Sequence, residues 1–170
     1  MRKAFCLILS LLLLLNLMGC NANDEEIQTP VSFYYRTAQV DFNAECGLFG
    51  IEIREGQPYT EDLQGLLSVY LAGPESEDLK SPFPQNVSIC GLTSSDNQVQ
   101  IILSSEFSQL SGHSLTIACA CLSKTIMDCT KCGSVLISAQ DSLLDGSESV
   151  FMSQENLLLL DRASQETSNE

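Results

Sequence analysis

The chain has 170 residues, 22 acidic and 8 basic, a formal charge of −14 and a single histidine. A surface of that sign repels polyanions, so nucleic-acid binding, which needs basic side chains to neutralise phosphates, is excluded as a function class. Eight cysteines in so acidic a chain raise a separate question of compartment and chemistry.

The first twenty residues, MRKAFCLILSLLLLLNLMGC, follow the plan of an export signal: Arg2 and Lys3, an apolar run from Ala4 to Leu15, then a small residue before Cys20. As a helix, the stretch from Ala4 to Met18 spans about 22 Å, short of a hydrocarbon core of about 30 Å. The segment therefore reads as a cleaved leader, residues 1–19. The ending LMGC resembles the lipobox of bacterial lipoproteins, which implies a diacylglycerol thioether on Cys20, cleavage after Gly19 and acylation of the new amino terminus, palmitate among the acyl chains. Two chains supply the second anchoring signal that one lacks. The expected location is the extracytoplasmic face of the cell membrane. Loss of Arg2 and Lys3 leaves 6 basic residues and a formal charge of −16.

Residues 20–30 form the lipid-anchored tether. NANDEEIQTP is polar, acidic and closed by Pro30, and as a flexible coil its ten residues reach about 17 Å. The single domain is expected over 31–160, long enough for one hydrophobic core. DRASQETSNE, 161–170, reads as a disordered tail.

VSFYYRT, 31–37, has the aromatic and β-branched content of a strand. LFGIEIRE alternates Phe49, Ile51 and Ile53 with Gly50, Glu52 and Arg54, which predicts a second strand with the first three on its buried face. A helix follows, capped by Thr60, with Glu61 and Asp62 in its first turn and Leu63, Leu66, Leu67, Tyr70 and Leu71 along one side, stopped at Gly73-Pro74. VSICGL and QVQIILS around the turn TSSDN predict a hairpin. A second helix is expected from about Ser114 to Asp128, with Leu115, Ala118, Cys119, Leu122 and Ile126 as its apolar stripe, and SVLISA as a last strand. The order β-β-α-β-β-α-β predicts an α+β two-layer sandwich, a mixed β-sheet with two helices packed on one face.

Several of these stretches together resemble the GerMN domain family of sporulation and spore-germination lipoproteins. They are LLSVYLAGPESEDLKSPFPQNVSICGL, VQIILSSEFSQLSG, the Lys124-Thr125 pair in the second helix and the V-x-I strand at Val135 and Ile137. LAGP and LSSEF are the most specific parts, and both are architectural. Gly73 can close a helix in the left-handed conformation, Pro74 prevents its continuation, and Phe107 can turn back into the core after the serine pair. The resemblance implies an αββαβ core like that of ring-building modules and a non-catalytic role in contacts between envelope proteins. Partners would be the membrane, through the lipid, and envelope proteins or further copies of the chain. It implies no cofactor beyond the covalent lipid. The tandem arrangement of the sporulation member is absent here, where one domain is found.

The remaining chemistry is thiol chemistry. Six cysteines lie in the body of the mature chain: Cys46, Cys90, Cys119, Cys121, Cys129 and Cys132. In CACLSKTIMDCTKC, Cys119 and Cys121 turn about 200° apart on a helix and cannot share a metal. Cys119 falls on the apolar stripe and Cys121 off it. Cys129 and Cys132, in CTKC beyond the helix, have the gap of a disulfide or redox pair, and a thiol-based redox or metal-binding lipoprotein is the alternative function. His113, alone before the second helix, reads as an exposed loop residue, and no G-x-S-x-G marks a serine nucleophile. No enzyme is expected.

Overall fold

The computed structural model describes residues 30–39, 47–54 and 62–157. The leader, Cys20, the tether up to Thr29, Cys46, Thr60, Glu61 and the tail lie outside those residues. In chain order the elements are β1 (Val31–Thr37), β2 (Phe49–Arg54), α1 (Leu63–Leu71), β3 (Leu79–Lys80), β4 (Ile89–Ser94), β5 (Gln98–Leu103), a 3-10 turn (Ser105–Gln109), α2 (Gly112–Thr130), β6 (Ser134–Ala139), β7 (Val150–Ser153) and a second 3-10 turn (Gln154–Leu157).

The class is α+β, and the strands divide into two sheets where the sequence predicts one. The first, ordered β2-β1-β3, is antiparallel. The second, ordered β4-β5-β6-β7, is mixed, with β5 and β6 parallel and both outer pairs antiparallel. The parallel pair follows from connectivity: α2 is the crossover that returns the chain to the start of β6.

Helix α2 explains the split. It packs against β1 on one side and against β6 and β7 on the other, so burial exceeds the predicted stripe. Leu115, Ala118, Cys119, Leu122 and Ile126 are buried as expected, and Ala120, Cys121, Ser123, Thr125 and Met127 are buried too. A helix apolar or small on most of its surface is an interior helix. Its C-terminal cap, Lys131, adopts the left-handed conformation at φ 62° and donates its N–H to the Met127 carbonyl.

Helix α1 starts at Asp62, whose side chain accepts from the Gly65 N–H at 2.9 Å. Gly73, at φ +106°, turns the chain away after its end. Leu66, Leu67 and Tyr70 reach the core, where the rings of Phe33, Tyr35, Tyr70, Phe83 and Phe107 touch in succession. Phe83 and Phe107 stand in the SPFPQN and LSSEF segments, which accounts for these loops packing inward.

Strand β2 corrects the predicted alternation. Phe33 is paired with Glu52 and Tyr35 with Gly50, and cross-strand partners share a face. Glu52 and Arg54 therefore stand on the core side, their side chains 11% and 10% exposed, while Ile53 is 60% exposed. The Arg54 guanidinium lies 5.0 Å from the centre of the Phe33 ring and donates to the Gly73 carbonyl at 2.8 Å. Glu52 accepts from the N–H groups of Glu75 and Ser76. Two charged side chains that satisfy each other and the backbone displace the isoleucine that a bare hydrophobic pattern would bury. Gly50 belongs to the same arrangement, since a Cβ there would collide with Leu79 of β3.

Candidate functional site

The four thiols of CACLSKTIMDCTKC do not converge. Cys119 is fully buried in the core, and burial pushes its thiol up to about 12. Cys121, expected off the packed face, is also fully buried, because α2 is covered on both sides. Burial, and then the neighbouring Cys119, raises its pKa still further. Neither is a nucleophile near neutral pH.

Cys129 lies inside the last turn of α2, not beyond the helix, and Cys132 follows the left-handed Lys131. Both are free thiols in this structure. Cys132 is buried and its Sγ donates to the Ser134 carbonyl at 3.3 Å. Burial, and secondarily Asp128, pushes the Cys129 thiol up to about 11, against a smaller opposing effect of Lys131. A reactive C-x-x-C needs its thiol lowered, as at a helix N-terminus, and Cys129 sits at the opposite end. Among the described residues no three His, Cys, Asp or Glu side chains group as metal ligands.

His113 is exposed in the first turn of α2 rather than in the loop before it. The neighbouring Gly112 N–H donates to Asp145 Oδ2 at 3.3 Å.

A groove of about 500 Å³ opens between the end of α1 and the segment leading into β4, with Leu71, Phe83, Val87 and Ile89 among its apolar lining and Gln85 and Asn86 at its polar side. The volume is that of small-ligand clefts, and no lining residue is charged. In the sequence, SPFPQN stands out only as part of the stretch that resembles the GerMN family. Its signal was the pair of prolines around Phe83, which fix an extended backbone beside a buried ring.

The chain matches no protein-family model and no curated protein. Among solved structures it is similar to the tandem GerMN domains of the sporulation protein GerM from Bacillus subtilis, at 16% identity and a TM-score of 0.55, covering 78% of this chain and 47% of that one. It is also similar to a candidate lipoprotein from Clostridium perfringens, at 21% identity and a TM-score of 0.49, covering 79% of this chain and 93% of that one. This chain thus spans about half the length of the GerM structure, and what it shares at such identity is the fold. The domain is GerMN-like. In this chain LAGP closes α1, and LSSEF passes from β5 into the 3-10 turn that buries Phe107.

Proposed function

We propose that the chain is an extracytoplasmic lipoprotein whose GerMN-like domain binds proteins of the cell envelope and catalyses no reaction, acting in sporulation, germination or envelope assembly. The observation that carries this reading is the joining of an export leader ending in LMGC, with Cys20 as the lipidated residue, to a domain of that fold. The acidic tether lets the domain stand clear of the anionic membrane surface while remaining confined near it. The thiol-based alternative at Cys129 and Cys132 is weakened by the raised Cys129 pKa, which leaves the thiol protonated at neutral pH.

Chemical crosslinking of intact cells producing the full-length chain tests the interaction role. Covalent adducts with envelope proteins, recovered from the membrane fraction, are the expected result. Capture of no protein neighbour, combined with peptidoglycan hydrolysis abolished by His113→Ala, would replace the reading with an enzymatic one.

A further inference from the structure

The second sheet has one face on α2 and one that no other element among the described residues covers. Val99, Ile101, Val135, Ile137 and Met152 point inward and are buried, so the residues between them point outward. The register places Thr93, Gln100, Leu136 and Phe151 in one continuous row across all four strands. Phe151 is 56% exposed and Leu136 half-buried. Ile102 and Ser138 flank the row on one side. Gln98 and Ser134 flank it on the other, joined by a 3.4 Å hydrogen bond. None of these side chains is charged, on a chain with 22 acidic residues.

We propose that this outer face of the β4-β5-β6-β7 sheet is a self-association surface whose occupant is the same face of a second copy. The inference rests on the reading of the chain as an interaction domain and names its partner. Two mature copies, each with 6 basic and 22 acidic residues and a formal charge of −16, repel across most of their surfaces. Close approach is least costly through a face without charge, and a two-fold axis brings the same patch of both copies together. A basic partner would be drawn to the acidic surfaces instead. Leu136 and Phe151 supply apolar contact at the centre, and Thr93 and Gln100 supply groups that both donate and accept.

Strand spacing of about 4.8 Å and rise of about 3.3 Å make the face roughly 19 by 20 Å. Burying it on both copies removes roughly 760 Å² from water, below the size of a stable specific interface and within the range of weak, transient contacts. The association is accordingly weak for freely diffusing chains and strengthened where a shared membrane confines them.

The test uses full-length chains carrying two different tags, produced together, with a photo-crosslinking residue at Gln100. Irradiation is expected to yield a membrane-fraction product carrying both tags, and none when the crosslinker stands at exposed Gln109. Gln100→Glu in both copies, with the crosslinker at Thr93, should lower that product about tenfold, the effect of about 1.4 kcal/mol of like-charge repulsion. Pairing Gln100→Glu with Gln100→Lys should restore it, which also shows that both variants fold. A membrane-anchored chain that gives no dual-tag product, or gives adducts only with a different protein or a glycan, overturns the inference and leaves the lipoprotein reading intact. Loss of the chain from the membrane fraction counts against the lipoprotein reading instead.

Discussion

The hydroxyl of Tyr70 donates to the backbone carbonyl of Tyr34 at 2.6 Å, and the N–H of that same Tyr34 donates to Thr125 Oγ1 at 3.1 Å. Side chains of α1 and α2 thereby satisfy both backbone groups of one β1 residue in the stretch that β3 does not pair. A strand edge closed in this way neither loses hydrogen bonds to burial nor offers itself to another chain. The Tyr35 hydroxyl extends the network by donating to the Tyr70 carbonyl at 3.0 Å. Tyr70→Phe keeps the ring and removes the hydrogen bond to the Tyr34 carbonyl. We expect a loss of about 1–3 kcal/mol in denaturant unfolding. Thr125→Val should cost a similar amount by removing the acceptor of the Tyr34 N–H, and the double variant should depart from additivity because both act on one network.

Ser123 presents the reverse case. Its Oγ is buried on α2 with no hydrogen-bond partner among the described residues. Ser123→Ala removes an unsatisfied group and substitutes a better helix former. The variant should unfold at a temperature equal to or above that of the parent, by up to about 1 kcal/mol of added stability. A clear loss would indicate a partner for this hydroxyl.

The acid limb of stability should be sensitive to Glu52. Burial alone would raise its carboxyl, but the Ser76 N–H, the Arg54 guanidinium and the Glu75 N–H together hold it below its ordinary 4.5. A depressed folded pKa means that the unfolded chain takes up the proton first. The contribution is complete above about 4.5 and lost as pH falls through the folded value. Glu52→Gln should lower stability at pH 7, on the order of 1–3 kcal/mol, and flatten the fall below pH 4.5. Parallel pH profiles for both proteins would remove Glu52 from this role.

On the alkaline side the sign reverses. Cys129 and Cys119 have folded values of about 11 and about 12 against an ordinary 9.0. Their contribution is complete below about pH 9 and declines as pH rises toward those values, because the unfolded chain releases the protons first. The buried hydroxyls of Tyr35 and Tyr70, raised chiefly by burial, act in the same direction. Cys119→Ala should make the alkaline decline shallower. Thiol labelling at pH 8 checks the same burial, since Cys90 is exposed. Cys90→Ser should remove one fast-reacting equivalent, while Cys119→Ala and Cys121→Ala leave the fast phase unchanged.

Much of the architecture was legible because it is written in period and punctuation. The aromatic run of β1, the stop at Gly73-Pro74, the hairpin around TSSDN and the stripe of α2 all lie where the sequence puts them. Phe49 of strand β2 packs against the core as expected, but Glu52, Ile53 and Arg54 depart from the alternation, because a pattern of isoleucine and charge says nothing of a guanidinium stacked on Phe33 or a carboxylate held by two backbone amides. The two-residue β3 has no period to detect, and its pairing depends on Gly50 leaving room for Leu79. The second sheet was hidden by the small residues of α2. Ala120, Cys121, Ser123 and Thr125 resemble a wet face in hydropathy, yet they are buried, and the helix packs against β1 as well as against β6. The expectation for Cys20 rests on its local motif alone, and it lies outside the described residues.

The central claim is a GerMN-like domain held at the membrane by lipid on Cys20, and mass spectrometry of the mature amino-terminal peptide tests it most directly. The account predicts a chain beginning at Cys20 with a diacylglyceryl thioether, and release of the Cys20→Ala protein from lipid modification and signal cleavage after Gly19. An unmodified Cys20, or a membrane-bound mature chain cleaved elsewhere and free of lipid, would contradict it.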